Sequence, residues 1–195
     1  MADDASVQDR ATFHAMTEGS AEDWAAIIRA SAHDRGRHVD RVVDQLLLLK
    51  DDHGGFAVDR LEHSLQTATR AHRDGRDEEY VVCALLHDIG DILLPASHAE
   101  MGAAILKPYV SDANHWMLEK HGVFQGYYFF HHLGLDQDLR EQYRGHPHFE
   151  HCAQFCHLYD QNSFDPGYGS MPLEAFTPML RRVMETPKRS IYMRD

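Results

Sequence analysis

The sequence is short of cysteine pairs, of positive charge and of long apolar runs. Cysteine occurs three times in 195 residues. An odd trio cannot close a disulfide framework, so a reducing cytoplasm is the expected compartment. Basic residues number 19 against 31 acidic ones, a formal net charge of -12. Neither a nucleic acid nor an anionic membrane is an expected partner, because either calls for a basic surface. The longest apolar stretch lies around residues 45–49, far below the ~20 residues that span a bilayer. The first ten residues, MADDASVQDR, hold no positive n-region and no apolar h-region, so no secretory leader is expected there. No glycine-rich dinucleotide loop, internal repeat, heptad array or low-complexity tract is visible. No β-alternation runs long enough to predict a sheet.

What is present is helical spacing and histidine. Ser20, with Asp23 three residues on, predicts a helix start at Ala21 running through Ile28. Val39 to Lys50 places Val42, Val43, Leu46, Leu47 and Leu49 on one broad apolar face, and Gly54-Gly55 breaks it. Asp59 is a cap for a helix over 60–72, which stops at Arg73-Asp-Gly75. Further helices are predicted over 78–89, from Ser97 through Leu106, over 114–128, over 149–159 and over 173–184. A loop covers 162–172, where Pro166, Gly167, Gly169 and Pro172 cluster. The fold class expected is all-α. One domain is expected over 1–195, with N-terminal helices in 1–50 and a core over 55–185.

Histidine, at 16 copies, points to metal binding or proton chemistry. The pair His87-Asp88 follows a strongly apolar run. Adjacent residues on a helix point about a hundred degrees apart. One metal takes both only near a helix end; otherwise Asp88 bridges two metals and His87 binds one. A buried carboxylate beside an imidazole is costly without a compensating cation, although an Asp capping a helix end beside a packed His would look the same. His63, His98, His121 and Asp160 fall on or beside four other predicted helices, and a helical bundle builds a metal site from such inward-facing groups. Four imidazoles and two carboxylates suit Fe, Mn or Zn. They are also more than one tetrahedral zinc needs.

Other features read as structure. Tyr127-Tyr-Phe-Phe130 reads as core or a helix-end cluster. His131-His132 and His146, His148 and His151 read as a polar loop and a solvated helix face. Cys152 and Cys156, one turn apart, and Cys83 read as buried packing. His72, His115 and the Lys188-Arg189 tail read as surface.

The series His63, His87-Asp88, His98, His121, Asp160 resembles the HD-domain superfamily. Within it, Leu61-Glu-His-Ser-Leu-Gln66, Leu85-Leu-His-Asp-Ile-Gly90 and the spacing to His98 and His121 resemble the HD-domain oxygenases with a mixed-valence di-iron centre. The phosphonate-cleaving branch is the most similar. The resemblance implies an HD-domain helical bundle and two iron ions, Fe(II)/Fe(III), with O2 as co-substrate. It implies His63, His87, Asp88 and Asp160 around one iron and Asp88, His98 and His121 around the other, the latter three as the catalytic set. The reaction implied is oxidative C–P cleavage of the organophosphonate (R)-1-hydroxy-2-(trimethylammonio)ethylphosphonate to glycine betaine and phosphate. The glycine-forming reaction on 2-amino-1-hydroxyethylphosphonate, an HD phosphohydrolase and a non-catalytic ligand-binding HD protein are the alternatives. By position, His53, Phe56, Asp91 and Gln125 are the substrate-side residues. Phe56 suits a quaternary ammonium. Asp91 and Gln125 stand where the glycine-forming relative has cations, so the iron itself, Lys120, or Arg181 or Arg182 of the C-terminal helix is the expected replacement contact for the anion.

Overall fold

Capping chemistry sets most of the helix starts. The structure, a computed structural model, describes residues 10–35 and 37–192. Helix α1 (Ala21–Arg35) opens on a reciprocal pair: Ser20 Oγ accepts from Asp23 N at 3.2 Å, and Asp23 Oδ2 accepts from Ser20 N at 2.9 Å. Helix α2 (His38–Leu47) stops short of Lys50, because Leu48, Leu49 and Lys50 bond back three residues and Asp51 takes a left-handed φ of 64°. Asp59 Oδ1 accepts from Glu62 N at 2.7 Å to open α3 (Arg60–Arg73), and Asp77 accepts from Tyr80 N at 2.8 Å to open α4 (Glu78–Leu86). Helix α5 (His98–Leu106) follows a turn, and Ser111 caps α6 (Asp112–Gln125) through Asn114 N at 3.3 Å. Short 3-10 turns fill 126–143 before α7 (Phe149–Leu158), and α8 (Leu173–Glu185) closes the order. No strand occurs among the described residues, so the chain is all-α, and among the same residues no helix is long and apolar enough to cross a membrane.

The chain divides into two compact units, residues 1–42 and 43–195. In the first, Thr12 N donates to Asp23 Oδ1 at 2.8 Å and the Phe13 and Trp24 rings lie 5.7 Å apart. The second is built round α4. Residues Tyr80 to Leu86 are all buried, the mark of a helix apolar on every side. α3, α6 and α8 pack on α4, and α6 also packs on α5 and α7. Each large side chain so buried contributes roughly 1.5–3 kcal/mol. The structural axis therefore ends where the site begins.

α4 ends at Leu86 rather than at Ile89 as the apolar run predicts. Ile89 N bonds Leu86 O at 3.2 Å and Asp91 N bonds Asp88 O at 3.0 Å, so His87 and Asp88 sit in tight turns past the helix end. The cause is α5. A Cβ on Gly90 would fall 2.7 Å from His98 O, and one on Gly102 would fall 2.8 Å from His87 O. Backbone meets backbone there, and only glycine allows it. That contact carries His98 to Asp88.

Glu79 ties three segments together. It accepts from Ser111 N and Asn114 Nδ2, each at 2.7 Å, and pairs with Lys188. Partial burial opposes its charge, but Lys188, Ser111 and Asn114 outweigh burial and hold its pKa at about 2, below the ordinary 4.5. A depressed carboxylate stabilises the fold above its unfolded pKa, and that stability is lost as pH falls from about 4.5 towards 2. Glu79→Gln is expected to cost about 1–2 kcal/mol at pH 7 after screening, and almost nothing near pH 2. Denaturant titrations of both proteins across that range measure it.

Candidate metal centre

Four imidazoles and two carboxylates from five segments meet at one end of α4. His63 comes from α3, His87 and Asp88 from the turn after α4, His98 from the first residue of α5, His121 from α6, and Asp160 from the 3-10 turn after α7. His63 Nε2 lies 3.4 Å from Asp88 Oδ2 and 3.3 Å from Asp160 Oδ1. His87 Nε2 lies 3.3 and 3.6 Å from the same two oxygens. The other oxygen of Asp88 faces away from these. Its Oδ1 lies 3.1 Å from His121 Nε2 and 3.4 Å from His98 Nε2. One carboxylate thus serves two imidazole pairs, one with each oxygen.

The back of each ring explains why its front is free. The Nδ1 atoms of His63, His87 and His121 lie 2.9, 2.9 and 2.7 Å from the carbonyls of Ser163, Ala84 and Leu118. A carbonyl only accepts, so each Nδ1 carries a proton and Nε2 is the nitrogen turned inward, free to hold a metal ion or a second proton. Acceptors then face acceptors: the Nε2 atoms of His63 and His87 are 3.1 Å apart, and Asp160 Oδ2 is buried without a hydrogen-bond partner. Such a set repels itself unless positive charge lies within it. Protons supply some: burial opposes a charged His63, but Asp160 and Asp88 hold its pKa up at about 9. His87 is likewise raised against its burial by Asp88 and Asp160. Burial would lift Asp88 and Asp160, yet the imidazoles hold both well below the usual carboxylate range. The carboxylates that draw protons onto these imidazoles would equally hold a cation in the protons' place, and the N/O donor set fits a divalent metal. His63, His87 and Asp160, then His87, Asp88 and His121, and also Asp88, Asp91 and His98, are each spaced to share an ion.

The model of the HD domain family matches residues 60–161, more than half of the chain. The chain belongs to the HD domain family. No curated protein matches it. HD domains are typically metal-dependent enzymes, and in this HD domain protein the matched span runs from the residue after the α3 cap to the residue after Asp160.

A cavity of about 500 Å3 opens on the cluster. Of the substrate-side residues read from sequence, Phe56, Asp91 and Gln125 line it, whereas His53 and Lys120 do not. His53 is exposed, and Lys120 pairs with Glu119 at 2.8 Å beside the Tyr143 ring. Arg182 pairs with Glu78 at 2.6 Å, and neither it nor Arg181 is among the lining residues. The cation that does line the cavity is Arg60, which sequence reading passed over. Its position one residue past the Asp59 cap and three before His63, on the same helix face, was the available signal. Phe164, in the loop after Asp160, was also missed; its ring stacks 4.3 Å from His63 and 4.7 Å from Phe56.

Other readings need correction. α6 ends at Gln125, short of Tyr128, and Tyr127 to Phe130 form the helix-end cluster in and between two 3-10 turns, with Tyr128 and Phe129 at the cavity. A Cβ on Gly126 would meet the Phe130 ring at 2.4 Å, so a larger residue there requires that ring to move. His151 is not on a solvated face: it is half-buried, with Nε2 at 2.7 Å from Asn114 Oδ1. His115 is half-buried as well. Cys83, Cys152 and Cys156 are free and buried, as their apolar settings predict.

Proposed function

We propose that this HD domain protein is a non-haem di-iron oxygenase that cleaves the C–P bond of (R)-1-hydroxy-2-(trimethylammonio)ethylphosphonate, giving glycine betaine and phosphate. The observation that carries the reading is the division of Asp88, with Oδ2 towards His63 and His87 and Oδ1 towards His98 and His121. A single-metal hydrolytic site has no use for the second pair. His63, His87, Asp88 and Asp160 would hold one ion, and Asp88, His98 and His121 the other. When bound, such a pair supplies Lewis acidity and one-electron chemistry towards O2. The overall reaction balances: the hydroxyl-bearing carbon becomes a carboxylate, phosphate leaves, and each product gains one of the two O2 oxygens.

The chain's own residues position and enclose. Phe56, Phe164, Tyr128 and Phe129 form an aromatic wall of the cavity. A trimethylammonium has no N–H to donate and is attracted to ring faces. Gln125 Nε2 donates to Asp160 Oδ1 at 3.1 Å and so orients that carboxylate. His63, held from behind by Ser163 and covered by Phe164, keeps one ring orientation.

The test is a panel of trimethylammonium and primary-amine 1-hydroxyphosphonates, with and without O2. Phosphate release that requires O2, in a one-to-one ratio with O2 consumed, and that prefers the trimethylated compound, is expected. Phosphate released equally without O2 would make this HD domain a hydrolase; preference for the primary amine would make it the glycine-forming enzyme. Phe56→Ala is expected to raise the KM for the trimethylammonium substrate about 5- to 30-fold, the equivalent of about 1–2 kcal/mol of lost ring contact. The primary-amine compound is expected to respond less.

A further inference from the structure

The fourth imidazole is held differently from the other three. His98 is the most exposed of the set, at 28 % of its side chain, and its nearest carbonyl, Pro95 O, is 3.4 Å from Nδ1. The closer partner of that Nδ1 is a carboxylate, Asp91 Oδ1, at 3.2 Å. Asp91 is buried, and its other oxygen, Oδ2, pairs with Arg60 Nη1. Arg60 Nε in turn donates to Asp52 Oδ2 at 3.1 Å. Both oxygens of Asp91 are therefore engaged within the protein, one on each neighbour. This leaves it poorly placed to contact an anionic substrate, although it borders the cavity.

We propose that Asp91, held by Arg60, is a positioning residue that aims His98 Nε2 at Asp88 and sets the retention of the second metal ion. The proposal rests on the reading of His98 and Asp88 as ligands of that ion. The hydrogen bond from His98 Nδ1 to Pro95 O is long, at 3.4 Å, and the Asp91 carboxylate beside it at 3.2 Å is a second, charged anchor on a partly open flank. A carboxylate on Nδ1 fixes the tautomer, restrains ring rotation and makes Nε2 a stronger donor. The buried Asp91 carboxylate needs a counter-charge of its own, which Arg60 supplies. His63, His87 and His121 are anchored by backbone carbonyls, so side-chain changes at Asp91 reach only the His98 half of the site. Arg60 also ties in Asp52, whose own carbonyl accepts from Arg60 N at 2.9 Å. That loop leads directly to Phe56, so the same arginine joins the aromatic wall to the second metal position.

The test is a titration of the whole metal-stripped protein with Mn(II), read calorimetrically and by bound metal per chain, alongside helix content by circular dichroism. The unaltered protein is expected to bind two ions. Asp91→Ala is expected to weaken the second binding step about 10- to 100-fold and to leave the first within a few-fold. Asp91→Asn keeps an acceptor for Nδ1–H but loses the charge, so it is expected to fall between the two; it also serves if the alanine variant does not fold. Arg60→Gln is expected to weaken the second step in the same direction by a smaller factor. His98→Ala should remove that step altogether. If His98→Ala removes one ion while Asp91→Ala and Asp91→Asn bind both as tightly as the unaltered protein, the positioning role is overturned and the ligand reading stands. If His98→Ala still binds two ions, the ligand reading fails and the proposal falls with it. Equal weakening of both steps by Asp91→Asn would also overturn it, since that marks a general structural defect.

Discussion

Replacing Asp88 with alanine is expected to abolish turnover, by at least about a thousand-fold, and to leave no tightly held pair of ions. Both imidazole pairs converge on this one side chain. Without it, His98 and His121 keep no carboxylate between them, and His63 and His87 keep only Asp160. Asp88→Asn retains the shape and loses the charge and one acceptor oxygen, so it should behave almost as badly. The comparison that gives the result meaning is His72→Ala. That residue is exposed at the far end of α3, and its removal should leave both metal content and rate unchanged. Metal analysis and initial rates on the same preparations measure all three.

The largest expected effect on stability lies beneath the site. Phe155 is fully buried on α7, with its ring edge-on to His87 at 5.5 Å, to Tyr80 at 6.1 Å and to His121 at 6.3 Å. It is the floor on which two of the four imidazoles rest. Phe155→Ala is expected to cost about 3–5 kcal/mol, from lost burial plus the cavity left behind. For a chain of this length that corresponds to a fall in Tm of roughly 6–20 °C. Phe155→Leu, closer in volume, should cost about 1–2 kcal/mol. Both should loosen metal binding, because rings that lose their packing lose their orientation. A loss under about 1 kcal/mol for the alanine variant would show that α7 does not support the site as described.

How far the sequence disclosed this arrangement varied with the kind of information involved. Capping and periodicity are local, so the starts of α1 and α3 and the course of most helices were readable from Ser20, Asp59 and the apolar spacing. The end of α4 was not. The run to Ile89 is uniformly apolar, and what stops the helix is the approach of α5 at Gly90 and Gly102, a contact between separate segments. The six side chains that meet at the candidate centre were readable as residue types on different helices; the division of Asp88 between its neighbours is a matter of rotamers and was not. The carboxylate Asp91 looked like a site residue because of its place after the motif, and only the fold shows that Arg60 and His98 occupy both its oxygens. Arg60 and Phe164 were overlooked for a related reason. Each sits in a stretch whose local pattern, a first helical turn or an irregular loop, already accounts for it.

The most direct test of the account is the number and coupling of the ions. Protein loaded anaerobically with iron and then partly oxidised is expected to hold two irons per chain and to give the electron paramagnetic signal of a half-integer Fe(II)/Fe(III) pair, lost in Asp88→Ala. One iron per chain in a fully active protein, with no coupled signal, would contradict it.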